Sequence, residues 1–480
     1  MKNNPVLRYL PLCFVLLLLI TTGCKSSKIT VRNENRSVPS SYNNSGSTDT
    51  TNSADINWRK IFADSNLVSL IDTALKNNQE LNITTLEINI AQNEVKARKG
   101  EYLPFGSVGL SAGLDKPGRY TRDGAVEHNL EIQPGKPFPE PLGDFMLGAA
   151  FSWELDIWGK LRNAKKAAAA RYLGSIEGRR FMVTNLVGEI SSAYYELLAL
   201  DNTLDIIRRN VNIQSNALEI VKQQKDAARV SQLAVNRFEA QLLNTRNLQF
   251  EVQQRIVETE NHINFLVGRF PQPVLRDSDK FNNIELDSIY VGVPGQLLAN
   301  RPDIRKAEQE LIASKFDVKS ARAAFYPSIR LNANIAFQAF NPAVWFNPAS
   351  LLYSIFGDLM APLINRNSIK ANYWTANAKQ MQAVYNYEKS VLSGYTDVVN
   401  QLAAIDNYSN SYKTKERESQ ILTQSVDIST NLFNSARADY MEVLLTQREA
   451  LQVRMELIEV KTKLLKSKVA MYKALGGGWK

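Results

Sequence analysis

Apolar residues recur along this chain with two different periods. From Lys160 to about Lys225, residues Val183, Val187, Ile190, Tyr194, Leu197, Leu204, Ile207, Val211, Leu218 and Val221 fall at steps of three and four, the spacing of a helix that packs along a seam. At 1.5 Å per residue such a helix is roughly 100 Å long. The pattern breaks near Ala227 to Ser231 and returns through Phe238, Leu242, Val252, Ile256, Ile263 and Leu266. It starts again at about Ser368, runs to Phe433, turns at Asn434 to Tyr440 and runs back to Leu475. Two helical hairpins, each too long for a compact globular domain, are predicted.

Elsewhere the period is two. Val108, Leu110, Ala112 and Leu114 alternate with Ser107, Gly109, Ser111 and Gly113. Phe145, Leu147, Ala149, Phe151, Trp153, Leu155 and Ile157 alternate with Gly148, Ala150, Ser152, Glu154 and Asp156. Ile329, Leu331, Ala333, Ile335, Phe337 and Ala339 alternate with Arg330, Asn332, Asn334, Ala336 and Gln338. Alternation gives a strand one apolar face and one polar or small face. Turn formers separate the runs: Pro117, Pro134, Pro137, Pro139 and Pro141 in one loop, Asn341, Pro342, Asn347 and Pro348 in the other. Two β-hairpins, 103–157 and 327–363, are expected. A shorter helix, about Asn66 to Gly100 or Pro302 to Ala324, precedes each and is stopped by Pro104 or Pro327.

These elements form a duplication. Asn77 to Pro104 matches Asn300 to Pro327, pairing Leu81 with Ile304, Val95 with Val318, Tyr102 with Phe325 and Pro104 with Pro327. Leu197 to Asp201 matches Leu402 to Asp406, and FLVGRF, which ends the first copy, matches ALGGGW at the carboxyl end. A repeat of this length carries more weight than any short motif. The expected organisation is a signal peptide at 1–23, a flexible tether at 24–57, a first repeat at 58–270, a linker at 271–299 and a second repeat at 300–480.

Composition changes the picture at the amino terminus. Lys2 and Arg8 precede the apolar run Leu10 to Ile20, followed by Thr21, Thr22, Gly23 and Cys24, which reads as a secretory signal whose cleavage leaves Cys24 for acylation. The alternative is ordinary cleavage with Cys24 left as a free thiol; Thr21 stands where a lipobox usually has leucine. Cys13 leaves with the signal, so the mature chain has no partner for a disulfide within itself. Ser26 to Asp55, rich in Ser, Asn, Thr and Asp, cannot order itself alone. The net charge of +9 comes from Lys and Arg scattered among Asp and Glu, without the aromatic-interleaved patch of a nucleic-acid binder.

After Ile20 no apolar run is long enough for a membrane helix, so a membrane is crossed with strands or not at all. Four strands cannot sit in lipid as an open sheet, because the edges leave backbone groups unpaired. Bacterial barrels start at about eight strands, so several chains must share one barrel. Two chains give a filled interior of about eight strands, and three give an aqueous lumen of about twelve.

The chain resembles the TolC-like outer-membrane efflux proteins, specifically the NodT-type lipoprotein branch, over nearly its full length after the tether. The resemblance is carried by Ser152-Trp153-Glu154-Leu155-Asp156-Ile157-Trp158-Gly159-Lys160-Leu161-Arg162, by Leu298-Ala299-Asn300-Arg301-Pro302-Asp303-Ile304-Arg305, by Ala321-Arg322-Ala323-Ala324-Phe325-Tyr326-Pro327 and by Leu475-Gly476-Gly477-Gly478-Trp479. It implies a mainly α protein with a membrane β-barrel: a homotrimer whose twelve strands continue into an α-helical tunnel. It also implies an outer-membrane location, no cofactor, and partners in a periplasmic adaptor and an inner-membrane pump of the RND class.

The motif residues have structural readings too. Asn300, Pro302 and Asp303 suit an N-cap, a first-turn proline and an acid matched to the helix dipole. Glu154 and Asp156, which share a strand face, suit a polar strand-to-helix junction better than an acid/base pair. Trp153 and Trp158 suit an interfacial belt or a subunit contact. In the family the second helical turn is the periplasmic tip, where an Asp-Val-Leu-Asp stretch rings the closed entrance. Here it is Glu442-Val443-Leu444-Leu445, so one acid is kept and Leu445 replaces the other. Glu442, Arg437, Asp439, Tyr440 and Arg448 are therefore the gate candidates, against a solvated tip with no gating role. At the matching turn Ala227, Ala228, Arg229 and Ser231 are the candidate adaptor contacts.

Other classes fare worse. His128 and His262 are the only histidines, with no nucleophile motif, phosphate loop or metal-spaced cluster beside them, so no enzyme is expected. The eight methionines form no cluster that points to copper. A protein-secretion duct shares the expected architecture; a purely structural coiled-coil lipoprotein has no use for four alternating strands.

Overall fold

The computed structural model describes residues 32–42, 49–284, 289–364, 366–435 and 437–479; the expected signal peptide and Cys24 lie outside them. The principal helices are α1 (Ser65–Asn77), α2 (Gln79–Tyr102), α3 (Lys160–Asp226), α4 (Gln232–Val267), α5 (Pro302–Ala323), α6 (Asn367–Asn434) and α7 (Tyr440–Ala474). The long strands are β1 (Phe105–Asp115), β2 (Leu142–Leu155), β3 (Ser328–Ala339) and β4 (Leu351–Met360). The fold is thus two copies of a short helix, a β-hairpin and a long helical hairpin. The chain divides into two compact units, one holding Asn89–Leu173 and Gln309–Tyr385 with the chain up to Asn33, the other Glu34–Ile88, Gly174–Glu308 and Asn386–Lys480.

In the first unit the four long strands form one antiparallel sheet in the order β1-β2-β3-β4. The connection between β1 and β2 carries a short helix, Arg122–Asn129, and a two-stranded ribbon of Glu131–Gln133 with Lys136–Pro137. Strand β2 stops at Leu155, so Asp156 does not share a strand face with Glu154 as the alternation suggests. Asp156 instead caps α3. The amides of Leu161 and Arg162 donate to its Oδ1 and Oδ2 at 3.0 and 2.8 Å, as expected where a helix presents unpaired N–H groups. The alternation ran on past the strand because Ile157 happens to follow.

The second unit holds the main core. Phe62, Leu67 and Ile71 pack with Ile190, Tyr194, Leu197, Ile263, Val267 and Phe281, all essentially inaccessible. Tyr194 donates to Asp64 Oδ2 at 3.0 Å, and burial pushes its phenol well above the usual range. Two smaller apolar clusters lie further along the long helices, one around Leu200, Leu204, Ile207 and Val252, the other around Leu218, Val235, Phe238, Leu242 and Leu444.

Two expectations about helix ends change. The helix drawn from Asn66 to Gly100 is two helices, broken at Asn78. Its side chain accepts from the Leu81 amide (2.9 Å) and donates to the Leu266 carbonyl (2.8 Å). In the second copy the residue before α5 is Arg301, not Asn300, although Pro302 does open the helix and Asp303 lies in its first turn. Asn300 closes a separate turn, Leu297–Asn300, and Arg301 donates to the Ala474 carbonyl at 2.9 Å.

The duplication therefore extends to its joints. Gly268 and Gly476 both have left-handed backbones, φ +78° and +88°. A Cβ on Gly268 would meet the Asn77 carbonyl oxygen at 2.5 Å, and one on Gly476 would meet that of Asn300 at 2.5 Å. Asn78 and Arg301 each bond the carbonyl two residues before their glycine. The structural match of FLVGRF with ALGGGW is thus one residue out of the register read from sequence.

The polar segment ahead of Trp58 has little apolar surface of its own. From Glu34 on, its described parts belong to the second unit, where Ser53 N donates to the Tyr290 carbonyl (2.8 Å) and Asn52 Nδ2 to Gln296 Oε1 (3.0 Å).

Candidate functional site

Two regions carry the function-bearing expectations, and each is described within its own unit. The first is the four-stranded sheet. Its register aligns Val108 with Ala149, Ala149 with Ile335 and Ile335 with Tyr353. The neighbouring rows on that face are Leu110, Leu147, Phe337 and Leu351 on one side and Gly106, Phe151, Ala333 and Ile355 on the other, with Trp153, Leu331 and Gly357 beyond. These rows make one face uninterruptedly apolar or small.

The opposite face mixes polar and small residues with Phe105, Met146, Leu352 and Phe356, and its polar groups are bonded to one another. Asn332 Nδ2 donates to Asp358 Oδ2 (3.0 Å), Asn334 Nδ2 to Ser354 Oγ (3.3 Å) and Gln338 Nε2 to Asp144 Oδ1 (2.8 Å). Arg330 lies 3.7 Å from Glu154, which also takes Lys160 at 3.1 Å. Where this face has glycine, strands close up: a Cβ on Gly148 would stand 2.5 Å from Ala336 Cβ. Sequence alternation found both faces; the cross-strand bonds follow only from register.

Among the described residues neither edge of the sheet is paired, since β1 and β4 are its outer strands. Every residue of β1 is exposed, Val108 at 79% and Leu114 at 74%, and β4 leaves Ile355 at 81%. An apolar face and two open edges have no stable home in water.

Aromatic side chains gather at both ends of the strands. Trp345 lies 6.0 Å from Phe145 and 5.3 Å from Phe346, and its indole N–H donates to the Phe337 carbonyl (3.1 Å). This cluster was missed, because Trp345 and Phe346 sit in the short loop of the second hairpin, outside any periodic run. At the other end the indole of Trp153 donates to the Tyr102 carbonyl (3.1 Å), and that of Trp158 to the Pro327 carbonyl (2.7 Å) while stacking on Tyr326 at 4.7 Å. Tryptophans with one apolar flank and one bonded N–H suit the two borders of a bilayer.

The second region is the pair of helical turns. Between α3 and α4, Ala227, Ala228, Arg229 and Ser231 are all exposed. Ala228 takes a left-handed backbone, φ +57°, and the Arg229 amide bonds back to the Gln224 carbonyl (2.8 Å). The Arg437 amide makes the same closure to Leu432 (2.9 Å) at the turn between α6 and α7.

Of the gate candidates, Tyr440 is half-buried and packs against the cluster that contains Leu218, Phe238 and Leu444. Arg437, Asp439, Glu442 and Arg448 are exposed. Among the described residues, none of these four charged side chains makes an ion pair. Within one protomer, then, Tyr440 is held and the charges face outward. Leu445, in the place of the second acid, is 40% exposed.

The family model for outer membrane efflux proteins matches residues 70–269 and 293–477. The chain belongs to this family. Its place is the outer membrane, its role efflux, and its fold that of the family's channels. The two matched segments each contain one repeat unit from short helix to closing joint. Similar proteins include the probable outer membrane lipoprotein SilC of Salmonella typhimurium, 26% identical over 425 residues and covering 88% of either chain. Another is the toluene efflux pump outer membrane protein TtgF of Pseudomonas putida, 26% identical over 429 residues, 89% of this chain and 87% of that one. The solved structure of the outer-membrane channel OprN superposes with a TM-score of 0.81 at 23% identity, covering 94% of this chain and 99% of that chain.

Proposed function

We propose that three copies of this chain close a twelve-stranded barrel in the outer membrane and form the passive exit duct of a tripartite, RND-type efflux assembly. The observation that carries the reading is the sheet: four strands, one apolar face, one face of mixed polarity with a bonded polar network, and two edges left open among the described residues. In lipid each edge must find another strand. With the apolar face outward, the bonded polar face lines the lumen, where water satisfies it. The helices carry the duct toward a periplasmic adaptor and an inner-membrane pump, which supplies the energy. The duct performs no chemistry of its own.

Acylation of Cys24 would anchor each copy to the bilayer, in keeping with the lipoprotein nature of SilC. The cargo is set by the pump; the relatives include a toluene exporter. Light scattering on protein extracted from outer membranes, corrected for bound detergent, is expected to return three protomers. A stable monomer would remove the barrel and the duct with it.

At the tip, Glu442 and Arg448 would face neighbouring copies and hold the entrance narrow. Glu442→Ala combined with Arg448→Ala is expected to raise single-channel conductance in planar bilayers. Unchanged conductance would assign the narrowing to Tyr440 and the apolar packing instead.

A further inference from the structure

The segment between Cys24 and Trp58 ought to be slack, yet its described residues are held to α6 and its neighbours. The Asn35 amide donates to Glu388 Oε1 at 3.1 Å. Arg36 Nη1 stands 3.0 Å from Glu308 Oε1, and its guanidinium lies 5.8 Å from the Tyr387 ring. Tyr42 is 3% exposed. Its ring stacks on Tyr395 at 5.5 Å, and the Tyr395 hydroxyl donates to the Ser41 carbonyl at 3.4 Å.

The surface that receives Tyr42 is part of the joint between the repeats. Arg301, 8% exposed, pairs with Asp303 (2.7 Å) and Asp397 (3.0 Å). Burial opposes its charge, but the two carboxylates outweigh this and hold its pKa above the ordinary value. Gly394 makes room for it: a Cβ there would come within 3.2 Å of Arg301 Cδ and Nε. The phenol of Tyr42 lies in the field of this guanidinium, is pushed up by burial and has no hydrogen-bond partner for its oxygen among the described residues.

These contacts differ in weight. Arg36 is more than half exposed, and a solvated ion pair contributes little. The buried ring of Tyr42 carries the docking. Because its oxygen bonds nothing among the described residues, the ring and not the hydroxyl is what the joint recognises.

We propose that residues 35–42 form a latch that binds the chain's own tether to α6, with Tyr42 as the anchoring side chain. The latch rests on the reading of Cys24 as the acylated residue. The 11 residues from Cys24 to Asn35 extend to at most about 40 Å. Binding at residues 35–42 leaves at most this length between the acylated residue and the latch.

The test is trypsin cleavage of the Arg36–Ser37 bond in the full-length protein in detergent, followed by mass spectrometry. Tyr42→Phe is expected to keep the wild-type rate. Tyr42→Ala is expected to raise it by more than about tenfold, the loss of one buried aromatic contact, with an unchanged thermal midpoint showing that the body remains folded. Equal rates in all three proteins would overturn the latch. The same spectra weigh the mature amino terminus. A Cys24 without acyl mass would overturn the anchoring role of the tether while leaving the Tyr42 difference in place, so the two failures are distinguishable.

Discussion

Ile335→Arg is expected to abolish recovery of the channel from the outer membrane, whereas Asn334→Arg is expected to leave it largely intact. The two positions are adjacent in sequence and on opposite faces of β3. Ile335 lies in the central row of the apolar face, between Ala149 and Tyr353, and 48% of it is exposed in the protomer. In a closed barrel that exposed surface meets lipid. An arginine at the midplane of a barrel's lipid face costs about 2–4 kcal/mol, and three copies pay it three times, a total of the same order as the whole stability of a domain. Asn334 bonds Ser354 on the polar face, where a longer cation extends into water. The fraction of protein running as a folded oligomer on unheated gels from outer-membrane extracts reads the difference. Equal recovery of the two variants would show that the sheet does not meet lipid, and the opposite order would show that the faces are assigned the wrong way round.

The second large effect lies at the repeat joints. Gly476→Ala is expected to destabilise the protein by about 2–4 kcal/mol, the sum of about 1–2 for a left-handed alanine and the cost of forcing a methyl into a closed space. The space is closed by backbone: the added Cβ would stand 2.5 Å from the Asn300 carbonyl oxygen and 2.9 Å from the Arg301 nitrogen. Backbone held by the buried Arg301 pairs has no easy way to give. Gly268→Ala meets the Asn77 carbonyl at the same distance and should lose a similar amount. Gly100→Ala is the control, since nothing lies within 4 Å of its added Cβ and a helical alanine is favoured by about 0.5–1 kcal/mol. Thermal midpoints that fall for the first two and rise or hold for the third are the expected pattern. A fall of the same size at Gly100 would mean that helix packing at large, and not the joints, is being probed.

How much of this was legible in the chain depends on range. The long seams of α3 and α6 repeat often enough that no single residue matters, and both turns were found at Ala227 to Ser231 and Asn434 to Tyr440. The strand faces were legible because alternation is a local property of successive residues. The break at Asn78 was not, because the apolar spacing passes smoothly from Ala74 to Leu81; what ends α1 is a side chain that bonds the Leu266 carbonyl. Asp156 looked like a strand residue for the same reason in reverse, since Leu155 and Ile157 flank it and only the amides of Leu161 and Arg162 give it another role. Tyr42 was invisible: one aromatic among serines and asparagines is indistinguishable from loop until Tyr395 and Arg301 are placed beside it. The tip residues were nameable by resemblance, but their work depends on what another copy brings to them. No periodicity within one chain encodes that.

The open edges of the sheet also fix an order of events. Every residue of strand β1 stays exposed in its own protomer, so adding this strand to the sheet gains little of the apolar burial that offsets chain entropy. The core around Tyr194 and Ile263 can assemble in a solitary chain; the barrel, in the assembly proposed above, needs three chains to meet. Membrane insertion is then a reaction of high kinetic order, slowing steeply as newly secreted protomers become scarce, and each waiting protomer exposes a strand edge that any other edge can capture.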